Sequence, residues 1–251
     1  MKTVLITQSN YIPWKGYFDS INKADLVILY DDAQFTKRDW RNRNKIKSAQ
    51  GLLWLTIPVL AKGRYFQKIN ETEISEPTWA ADHWKTLLHC YKKAKFFDEV
   101  SAWLEPLYTE CKETNLSRLN RLFLETVSGK MGIQTEFHFS SQYHIDGDAT
   151  DKLINICKQA GATKYLSGPA AKGYLAEDRF EASNIQLEYL DYSDYPVYSQ
   201  LHGEFVHEVS VLDLLFNEGP CASQYMKSFD ASSLSMARSS ENTSILKTVA
   251  K

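Results

Sequence analysis

Two short apolar runs near the N-terminus constrain the fold more than any other feature of this chain. Residues 3–7 (TVLIT) and 26–30 (LVILY) each predict a buried strand, because strands that are covered on both faces are almost continuously apolar. Between them, Pro13 and Gly16 mark a turn, and a short amphipathic helix is expected to run to about Lys23. A strand, a helix and a second strand in close succession predict a βαβ unit, and therefore a parallel sheet.

The rest of the chain continues the alternation of strands and helices. A hairpin is predicted with its turn at Gln50 and Gly51, a helix should open at Asp148, and further strands are expected at 134–139, 165–166 and 185–190. We therefore predict an α/β fold with a Rossmann-like parallel sheet and a helical insertion. The predicted division is an α/β core at 1–75 and 132–228, a helical insertion at 76–131 and a flexible tail at 229–251.

Composition excludes several classes of protein. The 251 residues carry a net charge of −2, so no global basic field attracts DNA. No apolar run is long enough to enter and span a membrane, and the N-terminus lacks the apolar core of a signal peptide. The four cysteines contain no CxxC pair, which predicts free thiols in a reducing cytoplasm. The unusual feature is the 13% aromatic content, because such rings line ligand clefts as readily as cores.

The segment that follows the first predicted strand, residues 8–18, is dense in aromatic and polar side chains. Ligands of open parallel sheets bind beyond the carboxyl ends of the strands, and a glycine there lets the backbone approach a ligand. The alternative is an aromatic packing turn. The candidate ligand-binding residues of this segment are Gln8, Asn10, Tyr11, Trp14, Lys15, Gly16 and Tyr17.

The segment after the second strand, residues 31–44, combines two adjacent acids with several bases. Arginine forks bind carboxylate or phosphate oxygens, and asparagines both donate and accept. A phosphate-bearing small molecule is the predicted ligand, and a solvated charged loop is the alternative. The candidates here are Asp31, Asp32, Gln34, Arg41, Asn42, Arg43 and Asn44.

Two later segments add weaker signals. Ser167, Gly168 and Lys172 belong to a small-residue loop that could hold an anion through its backbone N–H groups, although a tight connection without a ligand explains it equally well. His202 and His207 lie in polar, aromatic surroundings and are candidate general bases, with Asp213 as a possible orienting acid. Capping or core roles are the alternative for these three. The spacing of the histidines predicts no metal site.

Several long runs of the chain resemble the WbqC-like proteins. They are QSNYIPWKGYFDSI, DLVILYDDAQFTKRDWRNRNKIK, ATDKLINICKQAGATKYLSGPAAKGYL and YPVYSQLHGEFVHEVSVLDLLFN, and the similarity extends to about Tyr225. One departure is Ser9, where the family leads us to expect proline, and we expect it to alter only the stiffness of the turn. The resemblance implies work on a nucleotide-linked amino sugar in the biosynthesis of O-antigen or another bacterial surface polysaccharide.

A more distant resemblance concerns the fold. The strand, turn, helix and acid-ended strand are similar to the nucleotidyltransferase branch of the HUP superfamily, in which the turn carries an HxGH motif. Gly16 matches the glycine of that motif, but Trp14 and Tyr17 stand at the histidine positions. Neither side chain can supply the positive charge of a histidine, which argues against the usual adenylyl transfer.

Three functions remain open from the sequence. The first is N-acyl or N-aminoacyl transfer, for example of glycine, to a nucleotide amino sugar. His207 or His202 would then be the base, Arg41, Arg43 and Lys172 would hold phosphates, and Tyr11, Trp14 and Tyr17 would stack on the ligand. The second is an ATP-using ligase or nucleotidyltransferase, with Asp31 or Asp32 near Mg²⁺. The third is a non-catalytic protein that binds a sugar nucleotide. Acyl-CoA, aminoacyl-tRNA, and free amino acid with ATP all remain possible donors.

Overall fold

The computed structural model of the protein describes residues 1–229, so the predicted tail at 229–251 lies outside the described residues except for Phe229. The strands are β1 (Thr3–Thr7), β2 (Leu26–Leu29), β3 (Arg43–Ser48), β4 (Gly51–Thr56), β5 (Glu136–Phe139), β6 (Lys164–Ser167) and β7 (Gln186–Tyr189). The helices are α1 (Lys15–Asn22), α2 (Trp79–Tyr91), α3 (Phe97–Thr109), α4 (Leu116–Lys130), α5 (Ala149–Gln159), α6 (Glu177–Ala182) and α7 (Val211–Glu218).

A five-stranded parallel sheet forms the centre of the fold, in the order β5-β2-β1-β6-β7. This confirms the predicted α/β class. Counted along the chain, the parallel strands lie in the order 3-2-1-4-5, which is that of the Rossmann-like sheets. The order reverses between β1 and β6, and ligands of such sheets bind in the crevice at this switch point. Residues 8–14 leave the sheet there.

The two faces of the sheet are buried in separate apolar clusters. Leu5, Val27 and Leu29 point into a cluster that includes buried side chains of α1, α2, α3, α4 and α7. Val4 and Ile28 point the other way, into a cluster built with α5 and α6. Because side chains alternate along a strand, covering both faces requires the near-continuous apolar runs of β1 and β2.

The β3–β4 hairpin forms a second, two-stranded antiparallel sheet, as the sequence predicts, with Ser48 opposite Gly51. Gly51 has φ 114°, a conformation that favours glycine. One hairpin face buries Ile46 and Leu55 in the core, whereas Trp54 on the other face is exposed. The chain then continues into α2, α3 and α4, and the division at 76–131 stays a prediction.

The sequence placed the end of α1 near Lys23 and the start of α5 at Asp148 correctly. Asp148 caps α5, since its carboxylate accepts the N–H groups of Thr150 and Asp151, each at 2.9 Å. Helix α6 was not predicted. Cys90, Cys111, Cys157 and Cys221 are free thiols. Within residues 1–229, none of the helices combines the length and apolar character that crossing a bilayer requires.

Packing of α1 against the sheet should dominate stability. Phe18 on α1 is fully buried, whereas Phe66 is 88% exposed. We expect Phe18→Ala to lower the free energy of unfolding by about 3–5 kcal/mol, because it removes a ring from a close-packed core. The matched control, Phe66→Ala, should change it by less than about 0.5 kcal/mol. Urea unfolding measures both, and equal losses would contradict this packing.

Candidate functional site

A cavity of about 520 Å³, here called the aromatic cavity, lies beside the N-terminus of α1. The Trp14 indole meets the rings of Tyr192 and Tyr195 edge to face, with centroid distances of 5.6 and 5.2 Å. Rings combined with a few polar groups are typical of small-molecule sites. Its lining residues are Asn10, Pro13, Trp14, Trp40, Asn44, Tyr192, Asp194, Tyr195, His207 and Glu208.

A second cavity of about 410 Å³, the switch-point cavity, lies where the order of the parallel strands reverses. Thr7 and Gln8 contribute from the end of β1, and Ser167 and Gly168 from the end of β6. Two candidate segments that are far apart in sequence therefore meet at one edge of the sheet, as parallel pairing of β1 and β6 requires. This edge is where sheets of this order bind nucleotides.

The hydrogen-bonded pair of Arg41 and Asn10 lies between the two cavities, and we call this pair their junction. Arg41 lines the switch-point cavity and Asn10 lines the aromatic cavity. The guanidinium of Arg41 donates to Asn10 Oδ1 and lies 3.7 Å from a carboxylate oxygen of Asp39. A ligand that spans both cavities would pass this guanidinium, which is suited to phosphate oxygens.

A buried polar network holds this junction. The Asp31 carboxylate accepts the N–H of Ser9 at 2.8 Å and the hydroxyl of Ser117. Asn120 Nδ2 donates to Ser9 Oγ at 3.0 Å and to the Arg41 carbonyl at 2.9 Å. Burial raises the pKa of Asp31. Ser9 therefore contributes more than turn stiffness, because a proline there would have no N–H to donate.

His207 is the histidine that lines the aromatic cavity. Its ring lies edge-on to Phe205, with centroids 4.5 Å apart. Burial lowers the pKa of His207, and the positive charge of Lys15 lowers it further. A lowered pKa favours the neutral imidazole, the form in which it can accept a proton.

Lys15 is buried behind the cavity rather than directed into it. Its ammonium donates to the Pro196 carbonyl and lies 5.1 and 5.6 Å from the ring centroids of Tyr198 and Tyr195. Burial lowers its pKa to about 8, against the opposing attraction of Asp19. The sequence predicted that Lys15 contacts a ligand. In the structure Lys15 instead contacts the aromatic wall of the cavity, and its positive charge lowers the pKa of His207.

The structure does not pair Asp213 with a histidine. The Asp213 carboxylate is buried and accepts the hydroxyls of Tyr91 and Tyr198, each at 2.8 Å. His202 Nε2 lies 2.8 Å from the Cys90 carbonyl oxygen and does not line the aromatic cavity. The predicted orienting acid thus faces the core on α7, because that face of the helix is apolar and buried. Of the three predicted catalytic residues, the structure brings His207 to the cavity.

The predicted stacking tyrosines are core residues. Tyr11 is fully buried, and its hydroxyl lies 2.9 Å from His83 Nδ1 and 2.7 Å from the Tyr108 hydroxyl. Tyr17 is buried and donates to the Gln8 carbonyl at 2.9 Å. Both rings belong to the apolar cluster on the helix-covered face of the sheet, and neither lines the aromatic cavity or the switch-point cavity.

Several polar candidates also serve the framework. Asp32 accepts the Ser140 hydroxyl at 2.6 Å and lies 3.3 Å from Lys68 Nζ, and Gln34 donates to the Tyr65 carbonyl at 2.7 Å. Neither lines the two cavities. Among residues 1–229, no three or more His, Cys, Asp or Glu side chains are grouped to hold a metal ion.

The remaining candidates are divided between cavity walls and supports. Asn42 is buried and donates to the Ile57 carbonyl at 2.8 Å. Asn44 lines the aromatic cavity while it donates to the Tyr11 and Ile12 carbonyls, each at 3.0 Å. Lys172 is exposed above Tyr189, 5.1 Å from its ring centroid, and does not line the switch-point cavity. Arg43 stacks on Trp54.

The Trp14 side chain, rather than a ligand, explains why residue 16 is a glycine. A Cβ on Gly16 would overlap the Trp14 indole. The indole is itself held by two tyrosine rings, so it cannot move aside freely. The glycine that the sequence linked to ligand approach therefore shapes the wall of the aromatic cavity.

Six lining residues of the aromatic cavity are not among the site residues that the sequence predicted: Tyr192, Asp194, Tyr195, Glu208, Trp40 and Pro13. The signal for the first three was present, because DYSDY directly follows β7. The carboxyl end of β7 lies at the same edge of the sheet as those of β1 and β6, since all three strands are parallel. Asp194 has φ 53°, an uncommon conformation for a residue other than glycine.

Comparisons with known proteins define the relatives of the chain. A sequence model of the WbqC-like protein family matches residues 8–225. The uncharacterized protein Rv1507c of Mycobacterium tuberculosis is 49% identical over 227 residues, which cover 90% of this chain and 98% of that protein. No solved structure matches the chain significantly.

Because of the Trp14 indole, we expect replacement of Gly16 by alanine to destabilise the protein, although alanine usually stabilises a helix. Gly16→Ala should lower the free energy of unfolding by about 1–3 kcal/mol, because the new methyl group overlaps the indole. Gly129→Ala on α4 is the matched control, since nothing lies within 4 Å of its Cβ. The control should gain about 0.5–1 kcal/mol from helix propensity. Chemical unfolding measures both, and a stabilised Gly16→Ala variant would contradict the contact.

The charge of Lys15 should be visible in the titration of His207. We expect Lys15→Met to raise the pKa of His207, because it removes a positive charge that opposes protonation. Glu208 and Asp194, which also line the cavity, stay in place. NMR titration of the imidazole protons measures the shift, with Lys95→Met as the control. An unchanged or lower pKa in Lys15→Met would show that Lys15 does not act on His207.

Proposed function

The chain belongs to the WbqC-like protein family, and from this premise we propose that it transfers an acyl or aminoacyl group, such as glycyl, to the amine of a nucleotide-linked amino sugar. The product would serve the synthesis of a bacterial surface polysaccharide, in the cytoplasm where nucleotide sugars act as substrates. The observation that carries the proposal is the junction of two unlike cavities at Arg41 and Asn10. A nucleotide sugar has the same division into a nucleotide, a diphosphate and a sugar.

Each part of such a ligand has a matching region. The nucleotide fits the switch-point cavity, where sheets of this strand order bind nucleotides. The diphosphate fits the Arg41 guanidinium, whose paired N–H groups suit phosphate oxygens. The amino sugar fits the aromatic cavity, where Trp14 and Tyr195 offer apolar ring faces and Asn10 offers an amide.

His207 supplies the proton transfer that amide formation needs. The neutral amine of the sugar attacks the carbonyl carbon of an activated ester or thioester, so that a C–N bond forms and the C–O or C–S bond breaks. The proton lost from the amine passes to the imidazole of His207, which returns it to the departing alcohol or thiol. The lowered pKa of His207 keeps the imidazole ready to accept that proton near neutral pH.

Asn10 is the group best placed to stabilise the negative charge that develops on the carbonyl oxygen. Asn10 Oδ1 accepts a hydrogen bond from Arg41, so Nδ2 points away from the guanidinium. Nδ2 forms no hydrogen bond within residues 1–229 and is therefore available as a donor. A fixed donor of this kind typically contributes 10²–10³-fold in rate.

An ATP-using ligase is the second candidate, since the switch-point cavity at β1 and β6 would suit ATP as well as a nucleotide sugar. Asp31 and Asp32, which the sequence linked to Mg²⁺, are engaged with Ser9, Ser117, Ser140 and Lys68. The Lys172 ammonium lies over Tyr189 instead of in the cavity. These contacts favour the nucleotide sugar.

Paired variants separate binding from chemistry. We expect Arg41→Gln to weaken the binding of UDP-, dTDP- or GDP-linked amino sugars about tenfold, the loss of one charge-assisted contact. His207→Gln should leave binding within about twofold and lower turnover about 10²–10⁴-fold. His144→Gln, a substitution of an exposed histidine, is the control for both. Calorimetry measures binding, and mass spectrometry of the sugar product measures turnover.

Other outcomes would contradict the proposal in distinct ways. Binding of ATP with Mg²⁺ but of no nucleotide sugar would favour the ligase. Binding of a nucleotide sugar without acylation by any activated ester or thioester would make the protein a binding module. Turnover that is unaffected by His207→Gln would leave the proposed reaction in place and remove His207 as its base.

A further inference from the structure

The exposed face of the β3–β4 hairpin carries a cluster of two indoles and two cations, here called the tryptophan platform: Trp40, Arg43, Lys45 and Trp54. The two indole rings are 5.4 Å apart. The Arg43 guanidinium lies 4.0 Å from the centre of the Trp54 ring, and Lys45 Nζ lies 5.4 and 5.8 Å from the two rings. Trp40 and Trp54 are 40% and 39% exposed.

The platform is the most basic part of the chain. Residues 37–47 contain six Lys or Arg and one Asp, whereas the whole chain has a net charge of −2. Arg41 donates to Asn10 at the junction of the two cavities, and Lys47 is buried and donates to Gln200. The positive charges that remain at the surface have few acidic partners. Lys37 and Arg38 form no ion pair within residues 1–229. Lys45 pairs at 3.4 Å with Glu208, whose carboxylate is largely exposed.

The guanidinium of Arg43 has a fixed position in the platform. Its Nε atom is buried and has no hydrogen-bond partner among residues 1–229. Buried donors without a partner are rare in folded proteins. Arg43 Nη2 donates to the Arg38 carbonyl, and the guanidinium carbon lies 4.0 Å from the centre of the Trp54 ring, so the positive charge of Arg43 is fixed beside the indole.

The platform is continuous with the aromatic cavity. Trp40 lines the aromatic cavity, and the partner of Lys45, Glu208, lines it too. A ligand on the outer face of the hairpin therefore lies next to the cavity that contains His207. The switch-point cavity lies on the other side of the Arg41–Asn10 pair.

We propose that the tryptophan platform binds the adenine nucleotide of the acyl donor, an inference that rests on the proposed acyl transfer. Indoles stack on bases of any sequence, and neighbouring Lys and Arg hold phosphates, which together make a platform for nucleotides with exposed bases. The acyl group would then extend past Trp40 to the sugar amine. Two donors share this chemistry: acyl-CoA, and the 3′ end of an aminoacyl-tRNA.

Both donors complete the same transfer. In the first, the thioester C–S bond breaks and the CoA thiol leaves. In the second, the ester C–O bond breaks and the terminal ribose hydroxyl leaves. In each case the new C–N bond forms at the sugar amine, and the proton that His207 accepted returns to the leaving group, so that atoms and charges balance without a further reagent.

The test measures binding of two probes, CoA and the single-stranded RNA ACCA, to the full chain by calorimetry. We expect Trp54→Ala to weaken binding of the true donor fragment about tenfold, the loss of one stacked base. Arg43→Gln should weaken it to a similar extent. Phe66→Ala, which removes an exposed ring outside the platform, should leave it unchanged. Thermal unfolding of each variant checks that the hairpin is intact.

The outcomes decide between the sources and test the inference independently of the proposed function. Platform-dependent binding of CoA alone assigns acyl-CoA, and binding of the RNA alone assigns aminoacyl-tRNA. If neither probe binds, or if Trp54→Ala binds both as well as wild type, the inference is overturned. The inference is also overturned if the chain forms a dimer and Trp54→Ala abolishes that dimer. Binding of a nucleotide sugar is measured in parallel. If that binding depends on Arg41, the proposed function is supported even when the inference about the platform fails. If no nucleotide sugar binds, the proposed function is refuted even when the donor fragment binds the platform.

Discussion

The buried carboxylate of Asp31 is the interaction on which the rest of the site depends. It stands at the end of β2 and accepts from Ser9, just beyond β1, and from Ser117 on α4. Through Asn120 the same network reaches the backbone of Arg41. Polar groups at such depth are costly unless they are paired, so this network fixes where residues 8–10 and 41 lie relative to each other. The junction of the two cavities follows from that placement.

A second buried acid positions the opposite wall. Asp19 on α1 accepts the Tyr195 hydroxyl at 2.6 Å and the N–H groups of Lys227 and Ser228 at 2.9 and 2.7 Å. One short helix therefore holds the loop after β7 and the end of the described chain against Trp14. Asp31 and Asp19 act as positioning residues, and both keep the cavity-lining groups fixed before any ligand arrives.

The fold was largely predictable from the sequence, and the site only in part. Buried parallel strands are apolar on both faces, so the sequence predicted β1 and β2 from their apolar runs. The carboxyl ends of these strands then indicated where a ligand is expected to bind. The direction of individual side chains was not predictable. Tyr11 and Trp14 lie three residues apart in one loop, yet the first enters the core and the second lines the aromatic cavity. Asp213 lies close to His207 in sequence but faces the core, because tertiary packing decides which helix face is covered.

We propose that the aromatic cavity and the switch-point cavity together form one site for a nucleotide-linked amino sugar. A crystal structure with a bound nucleotide amino sugar is the decisive test. We expect the diphosphate within hydrogen-bond distance of Arg41, the base at the ends of β1 and β6, and the sugar amine beside His207 and Trp14. A ligand bound elsewhere, or one whose sugar points away from the aromatic cavity, would contradict it.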